Sequence, residues 1–89
     1  MNLKPLSANM TEIEIGSLKV LFSYNTPVAS IKEIDAYRTN KKWSNTTSKH
    51  INKWLQVHPE VLVVQYRPQE YFDNLLNQPF LFTISNEVK

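Results

Sequence analysis

The sequence predicts an α+β domain: a bent antiparallel β-meander of four to five strands, packed with two short helices. Strand number and length are compatible with a small open barrel of the Sm-like or SH3-like kind. Three observations carry this expectation. Between Met10 and Thr39 apolar and polar residues alternate with a period of two, as in half-buried strands. After Trp43 the apolar spacing lengthens to three and four, as in an amphipathic helix. The 89 residues include no cysteine, so packing alone must hold one small core together.

Residues 1–9 hold no sustained period and contain Pro5, and read as an arm preceding a single domain over 10–89. Ile13 and Ile15 then point one way against Thr11, Glu12 and Glu14, marking a first strand. Gly16 is the only glycine in the chain. Because glycine alone enters positive φ cheaply, Gly16-Ser17 is expected to make a tight hairpin turn. Leu18 to Tyr24 alternates again, and Asn25-Thr26-Pro27 breaks or bends the ladder because proline has no N–H to give. Val28 to Ile34 resumes the extended pattern. Lys32 to Asp35 supplies a polar turn, and Ala36-Tyr37-Arg38-Thr39 forms a short further strand.

Thr47, Ile51, Trp54, Leu55 and His58 fall on one helical stripe, which predicts a helix over 48–57. Ser44, Thr46 or Thr47 is available to cap it, and Pro59 stops it. Val61 to Val64 is a β-branched run too short for a buried helix and reads as a strand covered on both faces. Pro68 suits the opening of a second helix, whose apolar stripe is Tyr71, Phe72, Leu75 and Leu76. Phe80, Phe82 and Ile84 alternate with Leu81 and Thr83 as a last strand. Self-association is expected, through an exposed strand edge or through this last strand, because Phe80, Leu81 and Phe82 offer more apolar surface than one face can hide.

The net charge of +2 conceals an uneven distribution. Up to Tyr37 the lysines 4, 19 and 32 are outnumbered by Glu12, Glu14, Glu33 and Asp35. Beyond Lys53 the acids again exceed the bases. Between them, Arg38, Lys41, Lys42, Lys49 and Lys53 lie in a stretch without one acidic residue. A basic segment in a weakly acidic chain is where an anionic partner would bind. Met1 to Leu6 is followed by no apolar run, and no later stretch has the length of a membrane span. The expected location is therefore the cytoplasm, with no membrane partner.

Catalytic readings find little support. His50 and His58 would stand about 12 Å apart along a helix, too far to share a metal. Glu12 and Glu14 share one face of a strand, opposite Ile13 and Ile15, where solvent should reach both. A single glycine excludes phosphate loops, dinucleotide fingerprints and nucleophile elbows. No serine stands in a nucleophile setting, so neither an enzymatic role nor a cofactor is expected.

Phe22-Ser23-Tyr24-Asn25-Thr26-Pro27-Val28-Ala29, Tyr37-Arg38-Thr39 and Lys42-Trp43-Ser44-Asn45-Thr46-Thr47-Ser48-Lys49-His50-Ile51-Asn52-Lys53-Trp54-Leu55 together resemble a family of small uncharacterised proteins from phages and bacteria. The resemblance spans about Leu18 to Leu55 and, more faintly, Val64 to Phe72. It implies a phage or phage-derived origin and carries over no activity and no functional residue.

The candidate binding residues come from the basic segment itself. Arg38, Lys41, Lys42, Lys49 and Lys53 would take phosphates, with Tyr37 or Trp43 stacking on bases, as in proteins that bind single-stranded DNA or RNA. The first turn of the helix adds free amides and the hydroxyls of Thr46 and Thr47. Trp54 belongs to the core stripe, whereas Trp43 has two readings, a stacking platform or a staple between strand and helix. The alternative function is an interaction module that binds a host or phage protein.

Overall fold

The computed structural model describes residues 2–75. Eight elements follow one another: β1 (Asn2–Ser7), β2 (Met10–Ile15), β3 (Leu18–Ser23), β4 (Thr26–Lys32), β5 (Asp35–Thr39), α1 (Asn45–Gln56), β6 (Val63–Arg67) and α2 (Gln69–Asp73). The strands form one six-stranded sheet in sequence order, antiparallel from β1 to β5. β6 runs parallel to β5, because α1 carries the chain back to the starting end of β5 before β6 enters. The fold is thus α+β with a mixed sheet. Among the described residues it has one strand more than the sequence indicates, and there β1 and β6 are edges of an open sheet and not the closing pair of a barrel.

Each antiparallel connection spans two residues, and each places one residue at positive φ. Gly16 stands at +58°, and Asn9, Tyr24 and Glu33 take φ of 63°, 58° and 58° in the other three turns. The expected turn at Gly16 is present, but glycine is not obligatory for this geometry. A β carbon at Gly16 would meet no atom within 4 Å, so only the backbone preference opposes Gly16→Ala. That substitution should cost about 1 kcal/mol, readable as a lower urea midpoint with an unchanged slope. Glu33→Gly relieves the same preference in reverse and should raise stability by about 0.5–1 kcal/mol, measured by the same titration.

The segment read as an arm supplies β1. Pro5 is tolerated there because β1 is an edge strand, and the register slips between Pro5 and Ser7. In β4 the register with β3 shifts between Leu21 and Phe22, leaving Val28 as an extra residue beside Ala29. A bulge of this kind turns both neighbours to one side. Val28 and Ala29 accordingly both enter one apolar cluster, where strict alternation would have separated them. Pro27 at the bulge is the bend expected from the sequence.

Helices cover the two faces separately. On one face α1 lays Ile51 and Trp54 on Met10, Leu21, Val28, Ala29, Ile31 and Ala36. On the other, α2 and the residue after its cap lay Phe72 and Leu75 on Val20, with Leu18, Phe22, Tyr37 and Tyr71 around them. α1 begins earlier than its apolar stripe suggests, because Ser44 caps it by accepting the Thr47 N–H at 3.1 Å. α2 starts immediately after Pro68, as anticipated. The strand over Val61 to Val64 is displaced and differently placed. β6 starts at Val63 and is an exposed edge, not a strand covered on both faces. The expected strand over Phe80 to Ile84 lies outside the described residues, as does Leu76.

Candidate nucleic-acid interface

β5 alternates its side chains between the two faces, and β6 continues each row. Arg38 pairs in register with Tyr66 on the α1 face, while Tyr37 pairs with Gln65 and Thr39 with Arg67 on the α2 face. Parallel neighbours on one face come within reach of each other, and here each reach ends in a cation on a ring. The Arg38 guanidinium lies 5.2 Å from the centre of the Tyr66 ring. The Arg67 guanidinium lies 4.8 Å from that of Tyr37. A third pair, the Lys41 ammonium 4.0 Å from the Trp43 ring, sits in the loop beyond β5. Such pairs are worth about 0.5–1 kcal/mol each at exposed sites.

Further hydrogen bonds hold this edge in place. Arg38 Nη1 donates to Asn52 Oδ1 at 2.9 Å, which joins the strand arm of the basic segment to its helix arm. Trp43 Nε1 donates to Gln69 Oε1 at 3.0 Å, and Gln69 Nε2 donates to the Pro27 carbonyl at 2.7 Å. Trp43 therefore staples the loop to the start of α2, yet 42% of it remains exposed, as does 60% of Tyr66. The staple thus joins Trp43 to α2 and not to α1, the helix it precedes. Arg67 reaches Gln65 Oε1 at 2.7 Å and the Tyr66 carbonyl at 3.0 Å, which keeps its guanidinium flat along β6.

The expected binding residues divide accordingly. Arg38, Lys41 and Trp43 lie along one margin, with Lys42 exposed between the last two. Lys49 is exposed one turn before Asn52 and extends this margin onto α1. Lys53 is exposed in the last turn of α1, four residues after Lys49 on the same side of the helix, where its charge complements the helix dipole. Tyr37 is half-buried and faces Arg67 and Tyr71, whose ring centre is 5.6 Å away. Burial pushes the Tyr71 phenol above its ordinary range and Tyr37 adds to this, while Ser30 and the Arg67 charge oppose it. Thr46 is exposed at the first turn of α1. Thr47 is buried, and its hydroxyl is bonded to Ser23 Oγ at 3.0 Å, so it packs α1 onto β3 and offers nothing to an outside phosphate.

Tyr66 and Arg67 complete the margin and were not singled out by the sequence. They lie outside the basic segment, and only the parallel pairing of β6 brings them beside Arg38 and Tyr37.

Glu12 also departs from expectation. It is not solvated but 6% exposed, accepting from Trp54 Nε1 at 2.8 Å. His58 bridges it to Glu60, with Nε2 3.2 Å from Glu12 and Nδ1 3.0 Å from Glu60. Lys19 stands 3.6 Å from Glu60. Glu60 is held below the usual carboxylate range chiefly by a backbone hydrogen bond, which desolvation opposes and to which His58 and Lys19 add smaller lowering effects. The sequence argument placed Glu12 in solvent by assuming that only one face of the sheet is covered. A buried indole N–H on the same stripe as His58 is the signal that an acceptor must lie beneath.

Fold and site together define a small α+β protein: an open mixed sheet with a helix on each face and a basic, ring-bearing margin along β5, β6 and the start of α1. The chain belongs to a family of unknown function, DUF8033, whose family model matches residues 1–74. No curated protein and no solved structure matches it.

Proposed function

We propose that the protein is a non-enzymatic accessory protein of phage type that binds single-stranded nucleic acid along the β5–β6 margin. The observation that carries the reading is the pair of cation–ring contacts whose rings stay exposed, Arg38 on Tyr66 and Lys41 on Trp43. Single strands are bound by the same two ingredients, cations for the phosphates and ring faces for the bases. Arg38, Lys41, Lys42 and Lys49 take phosphates in this reading. Trp43 and Tyr66 supply the stacking faces, and Lys53 and Thr46 bear on a strand passing over α1. Thr47 supports the helix from inside.

Lys41→Glu with Lys42→Glu should lower affinity for a single-stranded oligonucleotide by roughly tenfold or more while the melting temperature stays unchanged. Fluorescence anisotropy and circular dichroism read the two quantities. Unchanged affinity in a folded double variant would remove the reading.

The second reading, a module that binds a host or phage protein, is favoured by one feature, the exposed apolar run Leu62, Val63, Val64 and Tyr66. Binding through such a strand would be nearly indifferent to salt.

A further inference from the structure

The two edges of the sheet are built differently. β1 carries Lys4, Pro5 and a register slip, devices that blunt an edge against pairing with another strand. β6, Val63-Val64-Gln65-Tyr66-Arg67, has no proline and no irregularity, and it exposes Val63 by 39%, Val64 by 47% and Tyr66 by 60%, with Leu62 before it at 74%.

The phase of its backbone is fixed. The Val63 N–H donates to the Ile34 carbonyl at 3.2 Å, and the Arg67 carbonyl accepts from the Asn40 N–H at 2.9 Å. Val63, Gln65 and Arg67 therefore turn their backbone groups toward β5. Val64 and Tyr66 turn theirs outward, where no strand among the described residues meets them; the Tyr66 carbonyl accepts from Arg67 Nη1 at 3.0 Å and keeps its second lone pair for a strand partner.

The geometry points to a second copy of this chain on that edge, paired β6 to β6 in antiparallel register about a two-fold axis at Gln65. In this register Val64 of each copy lies opposite Tyr66 of the other. These are the residues with outward-facing backbone groups, so each pair exchanges both backbone hydrogen bonds. Aromatic against β-branched is among the favourable cross-strand pairs. Charge agrees with the register too. The row that runs from Asp35 to Val63 in one copy continues into Arg67 of the other, so an acidic end meets a basic one and no like charges are opposed. The pairing is isologous and closes after two copies. It is independent of the nucleic-acid reading, though it would set the two Arg38–Tyr66 pairs on one shared face.

The test needs no nucleic acid. Sedimentation equilibrium of the full chain should give a mass tending to twice 10.4 kDa as concentration rises. Val64→Lys alone and Tyr66→Glu alone should each sediment as monomers, and an equimolar mixture of the two should recover the dimer, because a lysine then faces a glutamate. Hydrogen exchange supplies a second reading. In the wild-type dimer the Val64 and Tyr66 amides should be protected together with Val63 and Gln65. In the Val64→Lys monomer the position-66 amide should exchange freely while Val63 and Gln65 stay protected. A wild-type chain that stays monomeric at millimolar concentration overturns the proposal, as does a dimer insensitive to Val64→Lys. Protection of the Val64 and Tyr66 amides in a monomer would put a different strand on this edge and overturn it equally.

Discussion

Trp54→Ala is expected to cost about 3–5 kcal/mol, enough to leave a domain of this size largely unfolded at room temperature. The indole is fully buried between α1 and the sheet. Its removal takes away the contact that holds α1 on Leu21, Ala29, Ile31 and Ala36. It also strips a donor from Glu12, a carboxylate with little access to water. The two effects separate by substitution. Trp54→Phe keeps most of the packing but leaves Glu12 without its indole partner, and should cost about 1–3 kcal/mol. Chemical denaturation of the two variants gives both numbers. A Trp54→Ala protein that folds cooperatively with a near wild-type midpoint would show that the α1 face is not the main core.

The second large effect is expected on the opposite face. Phe72→Ala should also cost about 3–5 kcal/mol, because Phe72 is fully buried and, with Leu75, covers Val20 and the Tyr37–Tyr71 pair. α2 has only five residues and no side-chain cap, so its helicity depends on this docking. The same loss should release Gln69 from the Pro27 carbonyl and hence Trp43 from Gln69. A red shift of the Trp43 emission should accompany the fall in stability. Loss of stability without that shift would place Trp43 independently of α2.

How much of this was legible in the sequence depended on whether a residue's neighbours lay near it in the chain. The meander, the turn at Gly16, the bend at Pro27 and the stripe Ile51–Trp54 follow from local periodicity and backbone preference. The turn at Glu33 was legible as the polar run Lys32 to Asp35, and the break beside Tyr24 as Asn25-Thr26-Pro27. The turn at Asn9 was not, and a non-glycine residue at positive φ carries no compositional mark. β1 was hidden for a related reason. As an edge strand with Leu3 exposed it shows no alternation. β6 was misplaced because β-branched residues suit an edge as well as an interior. Which of the two it becomes is decided by where α1 returns the chain.

The same division runs through the site. Arg38, Lys41, Lys42, Trp43 and Lys49 were legible as one basic stretch. Tyr66 and Arg67 were not, because their partnership with Arg38 and Tyr37 is a matter of strand register across the α1 crossover. Thr47, chosen for its place at a helix start, proved to face inward, since Ser44 took the capping role one turn earlier.

The reading of the β5–β6 margin as a single-strand binder is tested most directly by the salt dependence of oligonucleotide affinity. The logarithm of the association constant should fall linearly with the logarithm of salt concentration, by about 0.7 per phosphate neutralised. With Arg38, Lys41, Lys42 and Lys49 engaged, the slope should be roughly −2 to −3, and it should become shallower in the Lys41→Glu, Lys42→Glu variant. No binding at low salt, or an affinity that does not change as salt is raised, would contradict it.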